Sequence, residues 1–486
     1  MDILINQYVS RYVVPFHYKS QHYFDLYEQL KNNSFINSEA RLPKDGTWIE
    51  KGFWENYKSD SKKISESELF SFIFTNLQSD SATRSNIGSS FIYKTGGTLF
   101  NAEYEASDVS IPFDCADLGI VLFKTGVGFI WYDIRIKKAT SIESYTDFQN
   151  EFKELARPNN SAFIQQTGYD KDNKVRKYSP FCMGLWLLKT FPFSETQISF
   201  WSDKRVVSSE KTTFIPDKAL LFQYVFCNGL SREQIIRTLF ALANGYNQKY
   251  NPSESIFSSA YLPFSNEGFL ISKAGMACVT TDTDSNADFF QNQFKQKYMT
   301  DYFFIYILLL YQSYSSENYC RYLTELPAQT ETFLTDPDGL ADLEDLNARI
   351  NLFLIKGIFN SVSNVPHQND LYKYGQKQLS VRNEIDALTI GLNSLYNIIK
   401  EKQSLIEQKE KQSDEEKSKI REESLNRSLA IFGLITTISA ALDAINLIDW
   451  FCSPSTVFRP GHAILLTVIS LLTVFILIIL FKNRRK

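Results

Sequence analysis

Hydrophobic and polar positions divide the chain into stretches with different periods. Over residues 1–280, short apolar runs alternate with polar turns, which predicts a mixed α and β fold. The strand-like runs are Ser89–Lys94, Leu118–Ile136 and Ala219–Cys227. The segment Thr125–Gly128 divides the second run and indicates a hairpin.

Helical periodicity begins within the first stretch and dominates after it. The segment Glu143–Ala156 has a helical pattern, and Ser231 with Gln234 forms a capping-box-like helix start. From about Asn286 the pattern becomes mainly helical. The uncharged run Tyr302–Ser316 is short and contains Tyr, Ser and Gln, so we expect a buried core helix rather than a membrane span.

The next helices lead towards the C-terminus. A helix is expected from about Leu340 to Phe359, followed by a break around Pro366 and then one continuous helix from about Leu371 into the first apolar segment. Alternating spacings of three and four residues predict a coiled-coil-like seam that faces a partner helix. The seam residues are Ile385, Leu388, Leu392, Leu395 and Ile399. The densely charged Lys400–Glu423 segment is expected to be a solvated part of this helix.

Two apolar segments follow the charged helix. Leu429–Phe451 and Ala463–Phe481 are each long enough to cross a bilayer as a helix. A short loop, 452–462, separates them, and a basic tail, 482–486, follows the second. The positive-inside rule then places both termini in the cytosol and the loop outside.

The first apolar segment contains polar residues on one side. On a helical projection, Thr436, Ser439, Asp443 and Asn446 fall within an arc of about 80°. A carboxylate inside a membrane helix usually faces water or a bundle interior. The predicted pore-lining residues are therefore Thr436, Ser439, Asp443, Asn446 and Asp449. Two alternatives stay open: Asp449 can be an interfacial acid beside Trp450, and the hairpin can be a plain anchor.

The cytosolic end of the first segment has no charged side chain. Leu429, Ile431, Phe432 and Leu434 are candidates for a hydrophobic gate that closes by dewetting. Two spans cannot enclose a path, so a pore requires a homo-oligomer. Rings of Asp443 and Asp449 around its axis would favour cations.

Composition narrows the class of protein. The 486 residues carry a net charge of −4, which gives no reason to expect direct nucleic-acid binding. The N-terminal sequence has no signal-peptide pattern, so we expect the bulk of the protein in the cytosol. The six cysteines are scattered, which favours free thiols over a disulfide framework.

Enzymatic motifs are weak. Lys94–Gly96 and Lys124–Gly126 each match the KTG element of serine β-lactamases, but the companion elements are missing or out of order, so turns between strands are favoured. The sequence has no P-loop, GxGxxG or HExxH motif. We therefore expect no catalytic residues and no enzymatic activity.

The order of these segments resembles the CorA-type two-span divalent-cation channel family over nearly the whole chain. The resemblance implies a homopentameric funnel in a bacterial inner membrane, with five copies of the first span lining the pore and a divalent cation such as magnesium as a possible ion. The family's Gly-Met-Asn motif after the first span is absent, and Ile448–Ser453 stands in its place.

Divergent CorA-like proteins also serve as membrane effectors of type III CRISPR antiviral defence. This branch implies a cytosolic domain that senses a nucleotide messenger, either a conjugate of S-adenosylmethionine with AMP or an oligoadenylate. The expected function is thus a ligand-gated channel or membrane-disrupting effector. A constitutive magnesium-type transporter and a membrane-tethered scaffold without flux are the alternatives.

A nucleotide messenger requires aromatic faces and phosphate donors. Polar turns supply four candidate ligand-binding residues, Arg84, Asn86, Lys94 and Lys124, although ordinary turns have the same composition. The predicted organisation is an α/β (α+β) cytosolic domain at 1–280, a helical region at 281–370, a stalk helix at 371–428 and a membrane hairpin at 429–486. The partners expected are other copies of the chain, the lipid bilayer and a small nucleotide.

Overall fold

A computed structural model describes most of the chain. The described residues are 3–33, 46–50, 68–70, 73, 87–106, 109–156, 183–190, 193, 197–207, 212–247, 250–282, 289–335, 337–452, 468, 471 and 475. The chain divides into two units, Met1–Ile399 and Lys400–Lys486.

The first unit is built around one large sheet. Its described strands are β1 (Gln7–Tyr18), β2 (Thr47–Glu50), β3 (Gly88–Lys94), β4 (Phe100–Ala106), β5 (Val109–Phe123), β6 (Val127–Ile136), β7 (Ile198–Phe200), β8 (Asp203–Val207), β9 (Thr212–Pro216), β10 (Leu220–Cys227), β11 (Tyr261–Phe264), β12 (Glu267–Ser272) and β13 (Gly275–Thr281). The main path runs β11-β12-β13-β10-β1-β6-β5-β3-β2, while β4 pairs with β5 and β7 with β1. The pairing is antiparallel except between β10 and β13. β8 and β9 form a separate hairpin.

Helices lie before, between and after the strands. The described α-helices longer than one turn are α1 (Tyr23–Lys31), α2 (Ile142–Phe152), α3 (Met183–Thr190), α4 (Arg232–Asn244), α5 (Glu254–Ser259), α6 (Phe303–Thr335), α7 (Pro337–Lys356), α8 (Pro366–Gln378) and α9 (Val381–Cys452). Ser231 caps α4 through the predicted capping box with Gln234. The α/β class predicted for the N-terminal domain is therefore confirmed.

The sheet separates two apolar cores. Tyr12 and Phe16 on one side of β1 pack into a core that also contains residues of α2 and α4. Val9 and Val13 on the other side belong to a core formed with α6 and α8. Because successive strand residues point to opposite faces, the apolar run of β1 is buried on both sides.

The predicted hairpin is present in the sheet. β5 and β6 pair in antiparallel register from Phe123 and Val127 outwards, and residues 124–126 form the turn. Gly126 has a φ of +82°, a conformation that most side chains disfavour. The second KTG match is thus a turn between strands, as the sequence predicted.

Helix α6 contains nearly all of the uncharged run Tyr302–Ser316. Its residues from Phe303 to Gln312 are buried in the core behind the sheet. The preference for a core helix over a third membrane span is confirmed for this run. Two π-helical turns, Phe289–Phe294 and Tyr298–Tyr302, precede the helix.

The expected continuous helix from about Leu371 is wrong at its start. α8 already begins at Pro366 and ends at Gln378, and α9 begins at Val381. Ser380 between them has a φ of +57°, which interrupts the helical path. α9 then continues without interruption to Cys452.

The predicted seam finds its partners inside the same chain. Leu395 and Ile399 form a small core with Leu343 of α7, while Leu323 of α6 packs against its edge. Leu388 and Leu392 extend the contact into the larger core behind the sheet. The 3-4 spacing therefore indicated a helix–helix contact within the first unit.

Candidate functional site

The polar stripe of the first apolar segment lies on α9. This helix is the one helix among the described residues that is long and apolar enough to cross a membrane. Thr436, Ser439 and Asp443 are all exposed on it. The Thr436 hydroxyl donates to the carbonyl oxygens of Phe432 and Gly433, 3.0 and 2.9 Å away. Such bonding back to the helix leaves the hydroxyl oxygen available as an acceptor.

The other pore and hairpin predictions are described only in part. Asn446 and Asp449 lie within the backbone of α9, but their side chains are outside the described residues. The loop at 452–462, most of the second span at 463–481 and the tail at 482–486 also lie outside them. Within the second span, Val468, Leu471 and Phe475 are described and exposed.

The gate candidates form an apolar surface on the helix. Leu429 and Phe432 are 60% and 70% exposed, Ile431 is also exposed, and Leu434 is half-buried. Large apolar side chains with this exposure are compatible with lipid or with neighbouring helices. One chain by itself does not form a constriction.

The four ligand-binding candidates do not form one cluster among the described residues. Arg84 and Asn86 lie outside those residues. Lys94 is exposed at the end of β3 and does not line the pocket described next. Lys124 does line it, at the turn between β5 and β6. Lys124 is therefore the one of the four candidates that the described residues place beside this pocket.

The pocket beside Lys124 has a volume of about 310 Å³. It lies between the β5–β6 turn, the start of α1, the middle of α6 and the second half of α7. Its lining residues are Ser20, Gln21, Tyr23, Phe24, Ile87, Lys124, Thr125, Tyr319, Asp345, Arg349, Leu352 and Phe353. Phe24 and Leu352 are among the exposed apolar residues, so the pocket reaches the surface.

Hydrogen bonds fix the turn that carries Lys124. The Lys124 backbone N–H donates to the Ile87 carbonyl oxygen at 2.7 Å. The Thr125 and Ser315 hydroxyls are 2.9 Å apart, and the Asn318 amide donates to the Thr125 carbonyl oxygen at 3.2 Å. These bonds attach the turn to α6, so the base of the Lys124 side chain has a defined position.

Lys124 lies over aromatic rings. Its ammonium nitrogen is 5.7 Å from the ring centroid of Tyr23 and 5.6 Å from that of Phe24. Both distances are within the range of cation–π attraction. Tyr23 also donates a hydrogen bond to Ser89 Oγ at 3.1 Å, and burial raises the pKa of Tyr23 to about 12. Tyr23 is therefore a neutral, oriented ring at physiological pH.

A second cation enters the pocket from α7. The Arg349 guanidinium donates to Ser20 Oγ, at the start of the turn before α1, and to the Asp345 carboxylate one helical turn earlier. The Arg349 and Asp345 side chains remain partly exposed, at 39% and 58%. Arg349 thus has an acidic partner on its own helix while its guanidinium reaches another element.

Sequence reasoning missed most of this pocket. Asp345, Arg349, Leu352 and Phe353 recur at helical spacing and share one face of α7, which is the signal that was available. Nothing in that spacing identifies the β5–β6 turn as the opposite wall. The described residues hold no group of three or more His, Cys, Asp or Glu side chains positioned to bind a metal ion.

The pocket can attract an anion because two cations line it, and the exposed Phe24 ring can pack against a flat group. Comparison with known proteins adds no further assignment: no family model matches the chain, and no curated protein matches its sequence.

Proposed function

We propose that the chain is a CorA-like membrane channel or membrane-disrupting effector that a cytosolic ligand gates. The observation that carries the proposal is α9, one unbroken helix whose apolar segment has Thr436, Ser439 and Asp443 on a single exposed stripe. The Asp443 carboxylate within an apolar segment would be costly in lipid and would be stabilised by facing water or other polar groups.

The proposed assembly is a ring of identical chains in a bacterial cytoplasmic membrane, with both termini in the cytosol. Copies of Asp443 around one axis would favour cations over anions. Leu429 and Phe432, nearer the cytosolic end, would form a constriction that closes when it dewets. The resemblance to the CorA layout supports a pentamer, and its defence-associated branch supports a nucleotide ligand.

The mass of the detergent-solubilised complex is the first test of this assembly. We expect a closed homo-oligomer, five copies by the resemblance. A monomer or dimer would rule out a shared axial pore and would favour the alternative of a membrane-tethered scaffold.

Flux through lipid vesicles tests the role of the stripe. The purified full-length chain is reconstituted, and cation entry is followed with and without adenine nucleotides on both sides of the bilayer. We expect nucleotide-dependent entry that Asp443→Asn reduces. Asp414→Asn, on a charged and exposed part of the same helix, is the matched control and should leave entry unchanged.

Two results would contradict the proposal. Entry of divalent cations at full rate without any nucleotide would favour the constitutive transporter. Equal entry through the parent chain and Asp443→Asn would remove the proposed role of the carboxylate ring.

A further inference from the structure

We infer that the pocket between the β5–β6 turn and α7 binds a phosphate ester that carries a flat ring, and that Asp345 weakens this binding by competing for Arg349. This site would hold the gating ligand of the proposed channel, so its role in gating rests on the proposed function. The binding itself is a property of the first unit and can be measured without any flux.

The charges favour an anionic group. Lys124 and Arg349 enter from different elements, and Asp345 is the one acidic side chain among the lining residues. The pocket also contains the start of α1, where the helix dipole is positive. A phosphate can accept hydrogen bonds from a guanidinium and an ammonium at once, and the fork of Arg349 suits two phosphate oxygens.

The walls favour a ring. Tyr23, Phe24, Tyr319 and Phe353 all line the pocket; Phe24 is 51% exposed, and the other three rings are buried in the apolar wall around it. The exposed Phe24 ring can stack against a flat ligand such as a nucleobase. A volume of about 310 Å³ is at the lower end of the range for small-molecule sites, about 300–1,000 Å³, and suits one nucleotide unit.

Asp345 acts as an internal competitor. Its carboxylate accepts a hydrogen bond from the Arg349 guanidinium, the group that an incoming phosphate needs. The two residues are four positions apart on an exposed helix surface, where such pairs add little to stability. A phosphate can therefore displace Asp345 from Arg349 at small cost, and removal of the carboxylate should tighten binding.

Helix α7 connects the pocket to the seam. Arg349 and Phe353 line the pocket, while Leu343, about two turns earlier, packs against Leu395 and Ile399 of α9. A ligand that draws Arg349 away from Asp345 changes the contacts of α7 on the pocket side. Because α7 is one continuous helix, that change can reach the side packed on the seam.

The test is calorimetric titration of the full-length chain in detergent with AMP, adenosine and inorganic phosphate. We expect AMP to bind more tightly than either part. Lys124→Ala and Arg349→Ala should each weaken AMP binding about tenfold or more, since each removes a charge-assisted contact. Asp345→Asn should tighten it about twofold, a gain that loss of structure would not produce.

The control is Arg237→Ala. Arg237 forms the same type of pair with Glu233 on α4, is exposed and does not line the pocket. Its substitution should leave AMP binding unchanged. Absence of AMP binding, or binding that neither Lys124→Ala nor Arg349→Ala weakens, overturns the inference.

The outcomes for the pocket and for the channel are separable. If AMP binds with the expected variant pattern but no cation flux is found, the ligand site is supported and the proposed channel function is contradicted. If nucleotide-dependent flux is unchanged in Lys124→Ala and Arg349→Ala, the channel function is supported, but the gating ligand does not bind in this pocket.

Discussion

Arg11 and Asp133 are register partners on β1 and β6 and form a buried, bidentate ion pair. Nε donates to Oδ1 at 2.6 Å and Nη2 to Oδ2 at 2.7 Å. The guanidinium carbon lies 4.2 Å from the ring centroid of Trp131 and 4.1 Å from that of Phe303. The pair therefore joins the centre of the sheet to the beginning of α6.

We expect removal of one partner of this pair to be strongly destabilising. Arg11→Met leaves the Asp133 carboxylate buried without its counter-ion, which costs about 3–5 kcal/mol. The double variant Arg11→Met/Asp133→Leu should recover much of that loss, because no charge then remains buried. Urea unfolding of the full-length chain in detergent, followed by tryptophan fluorescence, measures both.

Arg237→Met, from an exposed pair, is the control and should lower the free energy of unfolding by less than about 1 kcal/mol. Equal losses in the single and double variants would contradict the electrostatic explanation.

The buried Glu267 carboxyl should make the free energy of unfolding fall as the pH rises. Its side chain is buried, its Oε1 has no hydrogen-bond partner among the described residues, and burial raises its pKa from 4.5 to about 8. Between those two values the folded state retains a proton that the unfolded state has lost. The free energy of unfolding therefore decreases across this window, by up to about 1.4 kcal/mol per pH unit.

Glu267→Gln tests this origin of the pH dependence. The amide cannot ionise, so the variant should lose the Glu267 contribution and be more stable than the parent near pH 8. Urea unfolding at several pH values between 4.5 and 8 gives the comparison. Glu233→Gln, which alters an exposed carboxylate on α4, should keep the parental profile. A Glu267→Gln profile as steep as that of the parent would assign the titration to another group.

Gly126 should tolerate no side chain. Its φ of +82° costs a non-glycine residue about 1–2 kcal/mol, and a Cβ there would overlap the carbonyl oxygen of Tyr18. We expect Gly126→Ala to lower stability by more than about 2 kcal/mol, since crowding adds to the backbone strain. Gly229→Ala is the matched control, because Gly229 also has a positive φ but an added Cβ would meet nothing within 4 Å. Similar losses in both variants would show that crowding contributes nothing.

Leu395 should be essential to the contact between α7 and α9. It is 1% exposed and packs with Leu343 and Ile399, so Leu395→Ala should cost about 2–5 kcal/mol. Tyr396→Ala, one residue further along and 57% exposed, should change stability by less than about 0.5 kcal/mol. Urea unfolding distinguishes the two. If the two losses are comparable, the seam is not a significant source of stability.

Several local features followed from the sequence alone. The β5–β6 hairpin was predictable because two apolar runs flank a glycine-containing turn, and the α4 start because Ser231 and Gln234 stand three residues apart. The seam of α9 was predictable from its 3-4 spacing, and the apolar segment from its length. The hairpin turn and the helix cap depend on residues that are close in the chain, and the seam and the apolar segment show as a local periodicity or a run of apolar residues even though the seam's partners are distant.

Other features depended on tertiary contacts. Residues 376–390 contain no proline or glycine, yet the helix breaks at Ser380, and the neighbouring Leu379 and Val381 are both buried in the core. A local pattern cannot show that burial on both sides outweighs the preference for a continuous helix.

The pocket illustrates the same division. The sequence marked Lys124 as a candidate because it stands in a polar turn, but it gave no reason to pair that turn with Arg349 of α7. Their meeting is decided by how α6 and α7 pack behind the sheet, through contacts such as Thr125 with Ser315. Periodicity determined which face each helix buries, and packing between distant elements decided which charges share a cavity.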